Sequence, residues 1–172
     1  GQLSDPDEIT AQILVILQGK ARLVGRHNGR LTTVGKFGPG SVIGAASLLN
    51  GAPCENVIAA EEVIAFAVSD QLWRDFYSRE TSFRHWCDQQ LWPQELFKLL
   101  EVLEESTPET GSSAVEKLAE AMKSAERCFP NQSAVDAVLD AGKRLYVTSA
   151  WGDLQVGHPI RSSMDLPVCE PF

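Results

Sequence analysis

The stretch Gly38–Ala60, GPGSVIGAASLLNGAPCENVIAA, is where the residue types of this chain come nearest to chemistry. Glycines at Gly38, Gly40 and Gly44 lead into the small residues Ala45, Ala46 and Ser47. Leu48 and Leu49 follow, and Asn50-Gly51 closes what reads as a single helical turn. Backbone N–H groups at such a helix start, here Gly44–Leu48, attract an anion. An anion taken out of water also needs a cation, and a guanidinium supplies both charge and a fork of donors. The stretch Gly38–Ala60 holds no Lys or Arg, and its end, Pro53, Cys54, Glu55 and Val57, brings an acid instead. At about 1.5–3 kcal/mol per charged hydrogen bond, the missing cation alone lowers anion affinity by roughly one to two decades. The segment reads as a structural turn–helix–turn, or as a pocket turned to another ligand, apolar or cationic, in the space beside the small side chains.

Other chemistries lack their residues. Cys54, Cys87, Cys128 and Cys169 are scattered, with no CxxC pair and no histidine at ligand spacing. Reduced thiols are the expectation, and a disulfide pair the alternative. His27 falls in a turn, His85 on a helix beside Trp86, and His158 before Pro159. A jelly-roll metal enzyme would need His-x-His with a glutamate and a further histidine converging, and that pattern is missing. There is no GxxxxGK[ST] loop and no Cys–His arrangement for nucleophilic catalysis. The expectation is no catalytic residue, no metal and no cofactor, so this segment is not an enzyme. The charge balance, 15 Lys+Arg against 23 Asp+Glu for a net −8, argues against nucleic acid and against an anionic membrane surface. No apolar run reaches the roughly 18 residues a bilayer demands, and no secretory leader is visible. The expected location is the cytoplasm.

The elements that must hold these residues follow from periodicity. With 172 residues, 44% of them apolar, the chain can bury a core. Strand-like runs are Ala11–Gln18, Lys20–Arg26, Leu31–Lys36, Ser41–Gly44, Asn56–Ala60 and Glu62–Ser69, with Asn28-Gly29 marking a hairpin. From Asp70 the period becomes helical: Leu72, Trp73, Phe76 and Tyr77, then Phe83, Trp86 and Cys87, then Leu96, Leu99, Leu100 and Leu103 after Pro93. Glu105–Ser112 reads as a linker. Ser113 with Glu116 makes a capping box, Ser133–Ala141 a further helix, and Leu145–Thr148 a strand. The expected fold is mainly β with α: an antiparallel jelly-roll sandwich followed by helices. Its expected division is a first unit over 1–104, a linker over 105–112, and a helical hairpin, strand and loop-rich tail over 113–172, leading toward a further domain.

The cassette resembles that of the cyclic-nucleotide-binding domain family, whose phosphate segment reads G-x-x-F-G-E-x-A-L-L, a spacer, then P-R-x-A-T-V. Gly40, Gly44, Leu48, Leu49 and Pro53 match, as does Ile16–Leu23 (ILQGKARL) as the family's strand pair. The resemblance spans roughly residues 11 to 100 and implies an eight-stranded jelly roll with trailing helices. It also implies a ribose-holding glutamate where Ala45 stands, a phosphate-holding arginine where Cys54 stands and a hydroxyl where Val57 stands, with Glu55 an added negative charge where the phosphate would sit, so the cassette is degenerate. A narrower resemblance, on Gly51–Glu55, Trp86-Cys87, Gln90–Leu96 and Leu145–Pro167, is to the amino-terminal regions of cyanobacterial-type ABC exporters that carry a peptidase and secrete bacteriocin- or toxin-like peptides.

The aromatic set around Trp73, Phe76, Trp86 and Trp92 is expected either to pack the helices on the sandwich or to form a partner surface. The resulting expectation is a non-catalytic regulatory or interaction module. Its partners would be downstream domains of the same transporter or its peptide cargo, with a homodimer as a further option. One alternative is a nucleotide or small-anion sensor that binds through Gly44–Leu48, with Arg22 or Arg30 supplying the charge. The other is a transcription regulator, disfavoured because Ser113–Arg144 carries five acids and five bases.

Overall fold

The computed structural model describes residues 1–107, 113–128, 131–149 and 151–167. Among the described residues the strands are β1 (Gln2–Ser4), β2 (Gln12–Gln18), β3 (Ala21–His27), β4 (Arg30–Phe37), β5 (Val42–Ile43), β6 (Val57–Ala59), β7 (Ile64–Ser69), β8 (Leu145–Tyr146) and β9 (Pro159–Ile160). The helices are α1 (Ala45–Asn50), α2 (Asp70–Arg79), α3 (Thr81–Gln89), α4 (Pro93–Ser106), α5 (Ala114–Ser124) and α6 (Gln132–Asp140).

Two antiparallel sheets face each other, one ordered β1-β6-β3-β4 and the other β5-β2-β7. The β3–β4 hairpin turns at Asn28-Gly29, both with positive φ, as its sequence requires. Apolar residues of both sheets meet in one cluster, with Ile16 and Ile43 from the second sheet against Ala21, Leu23, Phe37 and Val57 from the first. The expected mainly-β sandwich with trailing helices is the fold observed.

Helix α2 begins at Asp70, and its cap is Ser69, whose Oγ accepts from Leu72 N. One detail differs from expectation: a short strand, β1, precedes Ala11 and pairs with β6. Helix α5 follows the residues read as a linker, and its Ala114 and Leu118 are buried in the main cluster with Leu96, Phe97 and Leu99 of α4. The Ser113–Glu116 capping box starts α5, and Glu104 Oε2 of α4 accepts from Ala114 N at 2.7 Å, so the two helices share a cap. Within the 105–112 segment, residues 108–112 lie outside the described residues, as do Pro130 and Cys169. A separate small cluster of Val135, Val147 and Ile160 joins α6 to the β8–β9 pair. Among the described residues, no helix is long and apolar enough to cross a membrane.

Candidate functional site

The cassette is held open at its start by Gly44. Its φ of 95° is a backbone conformation that side chains rarely adopt, and a Cβ there would lie 2.6 Å from Thr10 Cγ2. This geometry turns the first N–H groups of α1 toward one point. The Glu55 carboxylate occupies that point. Its Oε2 accepts from Gly44 N at 2.8 Å, and its Oε1 accepts from Ser47 N at 3.1 Å. Gln94 Nε2, reaching in from α4, donates to Oε2 at 3.2 Å. Glu55 is 1% exposed. Burial pushes its carboxyl above the ordinary carboxylate range, against the downward pull of these N–H donors. Among the described residues no Arg or Lys lies within ion-pair reach of it. Arg22 instead donates to Thr33 Oγ1, and Arg30 begins β4 at the exposed hairpin tip.

The neighbouring cassette residues are equally committed. Cys54 N donates to Ser47 Oγ at 3.0 Å, and the Cys54 thiol lies against the same hydroxyl. Burial first, and the nearby Glu55 and Glu95 carboxylates after it, push that thiol up to about 12, so it carries no thiolate chemistry at neutral pH. Ser4 Oγ in β1 accepts from Val57 N and donates to Glu55 O, which ties both sides of Glu55 to the sheet. The space expected beside the small residues is filled: Ala45, Ala46 and Leu48 are buried in one cluster with Ile13, Trp73, Cys87 and Trp92.

Helix α4 closes the other side. The Phe97 ring abuts the backbone of β3 through its Cζ end, and a Cβ on Gly25 would stand 2.2 Å from that atom. Glu95, the next residue after Gln94, is 2% exposed and ion-paired to Arg127, whose Nε also donates to Gln90 O. Beside Pro53 and Cys54 lies a cavity of about 340 Å³ whose lining includes Leu23, Val24 and Phe97, the bases Arg26 and Lys98, and the acids Asp7 and Glu101.

Of the residues singled out in sequence, Gly44, Ser47, Cys54 and Glu55 do converge, whereas Ala45, Ala46, Leu48 and Val57 serve the core. Trp73 and Trp92 are 5% and 8% exposed, which corrects their placement on a partner surface. Their rings belong to a packed chain in which Trp73 meets Phe83, and Trp86 meets Trp92. Phe76 and Trp86 are 47% and 41% exposed. Sequence reasoning missed Gln94, Glu95, Phe97 and Gly25. The available signal was that Glu95 stands four residues before Leu99 on the apolar stripe of α4, a carboxylate placed on a buried face. No group of three His, Cys, Asp or Glu able to hold a metal forms among the described residues.

A family model for the cyclic nucleotide-binding domain matches residues 4–80. No curated protein matches the chain. Among solved structures, the regulatory subunit of a cAMP-independent protein kinase A from Trypanosoma brucei is 23% identical over 52% of this chain and 34% of its own, with a TM-score of 0.44. The regulatory domain of Toxoplasma gondii protein kinase A with cAMP is 18% identical over 50% of this chain and 33% of its own, at 0.42. A putative cyclic nucleotide-binding protein from Geobacter metallireducens is 13% identical over 49% and 61%, at 0.40. The chain thus spans about a third of the length of the two kinase subunits. Residues 4–80 thus match the cyclic nucleotide-binding domain model, and the sandwich they form has that fold.

Proposed function

We propose that this chain is a non-catalytic regulatory or interaction module that works without a nucleotide, because its cyclic-nucleotide-type cassette is filled by its own side chains. One observation carries the reading. The Glu55 carboxylate takes the Gly44 and Ser47 N–H groups that an incoming anion would need, and Gln94 seals it from α4. Cys54 supplies no charge beside it. A phosphate would have to displace a tethered carboxylate and then sit without a cation, which costs several kcal/mol.

Isothermal titration with cyclic AMP and cyclic GMP at low salt tests this. The expected result is no heat up to millimolar ligand, for the native chain and for Cys54→Arg alike. The new guanidinium of the variant would pair with Glu55 or Glu95 before any phosphate. Micromolar binding by the native chain overturns the reading. It would favour the alternative of a nucleotide or small-anion sensor that binds through Gly44–Leu48.

The setting we propose is the cytoplasmic amino-terminal region of a peptide- or toxin-exporting ABC transporter, where the module docks on downstream domains or on cargo. Support comes from the sequence resemblance around Gln90–Leu96 and from the exposed Leu72, Phe76 and Trp86 on α2 and α3. A pulldown with immobilised chain should retain a cargo leader or a downstream domain, and Phe76→Asp should release it. Retention of neither would sink this setting while leaving the self-filled cassette intact.

A further inference from the structure

Beyond the sandwich, Arg127 and the residues after it enclose a second cavity. It holds about 320 Å³ beside α6, β8 and β9, outside the residues 4–80 that match the family model. It shares no lining residue with the cavity beside Cys54. Its walls are apolar: Val135 of α6, Leu145 of β8, Val147, Ile160 of β9, Leu166 and Trp151. Val135, Val147 and Ile160 are also the buried cluster that joins α6 to the β8–β9 pair, so packing fixes this wall. An apolar cavity of about 150 Å³ is enough to hold benzene, and pockets for small ligands begin near about 300 Å³. The space suits a body of about two fused rings.

The polar groups of this lining are few and uncommitted. The hydroxyls of Tyr146, Thr148 and Ser149 have no hydrogen-bond partner among the described residues, and neither has the indole N–H of Trp151. Arg127 is the one charged side chain of the lining among the described residues. A guanidinium carries five N–H donors in a planar fork. Arg127 Nε donates to Gln90 O and Nη2 pairs with Glu95 Oε2. The edge formed by Nη1 and the second N–H of Nη2 is left without a protein partner, and the side chain is 28% exposed. Glu95 already balances part of this charge, so the open edge suits one negative charge and not two.

We propose that this cavity binds a free small molecule, an apolar monocarboxylate with a body of one or two rings. Its carboxylate would take the open edge of Arg127 as a bidentate, charge-assisted pair. Its rings would lie among Trp151, Val135, Val147 and Ile160, and the Thr148 and Ser149 hydroxyls would stand by as further donors. A cationic ligand would meet Arg127 as like charge. A phosphate dianion would bring a second charge to a guanidinium that Glu95 already shares. A polypeptide terminus carries the same carboxylate, but two rings fill the volume without the main chain a peptide would add. The proposal rests on no part of the reading given to the Glu55 cassette, and occupation here neither needs nor excludes a nucleotide.

The test is isothermal titration of the whole chain with naphthalene-2-carboxylate. The expected result is one site with a Kd of about 100 μM or tighter. Naphthalene-2-methanol, with the same rings and no charge, should bind at least about tenfold more weakly. Ser149→Trp, which fills the cavity, should weaken the carboxylate by at least about tenfold. Thr148→Trp takes its place if the first variant lacks native circular dichroism. Phe66→Ser, at an apolar side chain 61% exposed on β7, should leave the affinity unchanged. No binding, equal binding of the alcohol, an affinity that the filling variant does not move, or one lost in Phe66→Ser overturns the proposal. So does tighter binding of the peptide Gly-Ser-Gly-Ala-Phe with a free carboxylate, since the cavity would then belong to a polypeptide terminus.

Discussion

A carboxylate that accepts two backbone N–H groups through different oxygens has no good substitute. In Glu55→Gln one oxygen becomes an NH2 that cannot accept, and Glu55→Ala leaves Gly44 N, Ser47 N and Gln94 Nε2 without their acceptor. Each orphaned buried donor costs about 1–3 kcal/mol. Chemical denaturation should therefore show Glu55→Ala destabilised by on the order of 3 kcal/mol and Glu55→Gln by about half that. An unchanged midpoint for Glu55→Ala would mean the carboxylate does not hold α1. The sign of the pH dependence also follows. Burial raises the Glu55 carboxyl above its ordinary 4.5, so the folded state holds its proton to higher pH than the unfolded one. Its contribution to stability is complete below the unfolded value and shrinks as pH rises through the folded one. The advantage of the native chain over Glu55→Gln should thus narrow from about pH 4 toward neutrality. A difference that widens over that range would contradict the burial argument. Gln94 suits both states of the acid: its Nε2 now donates, and its buried Oε1 has no hydrogen-bond partner and could accept from a protonated carboxyl.

At the scale of elements, α4 closes the cassette, and the contact that lets it do so is the bare backbone of Gly25 under Phe97. Gly25 has an ordinary φ, so a side chain is forbidden there by space alone. Gly25→Ala should cost about 1–3 kcal/mol in the native background. Because the obstacle is the Phe97 ring, that cost should largely disappear in a Phe97→Leu background, a coupling that a double-mutant cycle reads directly. Additive effects would show that α4 does not rest on β3 as described. Little of this was legible in the sequence. The stripe Leu96, Leu99, Leu100 and Leu103 announces a packed helix, but nothing in it says which surface is covered. Gly25 reads as a weak point in a strand until its partner, 72 positions away by their numbers, is known.

For the whole molecule, the main clamp is Arg127. It follows α5, pairs with the buried Glu95 at the start of α4 and also donates to Gln90 O, so it ties the helical segments into one body. Arg127→Ala would strand a carboxylate that is 2% exposed, and such losses cost about 3–5 kcal/mol. Thermal melting should show the drop. A variant with both Glu95→Gln and Arg127→Ala should recover part of it, since the buried charge goes with its partner. If the double variant is no better than the single, the clamp is not electrostatic. The sandwich itself was readable because its signals are local: Asn28-Gly29 for the hairpin, period-two runs for the strands, Ser113 and Glu116 for a helix start. Glu55 was readable as a charge in the wrong place, though not as the occupant of that place. Its donors, at Gly44, Ser47 and Gln94, are gathered only by the fold. The β1 and β9 strands escaped because elements of two or three residues carry little period to read, whereas β8 falls within the strand read at Leu145–Thr148.

The Glu55 carboxylate sits eleven positions along the chain from the Gly44 amide it binds. Even a short flexible link holds two such groups at an effective concentration on the order of millimolar, and this link is folded. Dilution does not empty a site of that kind, and no fluctuation in metabolite supply refills it. On the reading proposed above, what acts on this cassette would be something that displaces the polypeptide itself, and not the rise and fall of a dissolved messenger.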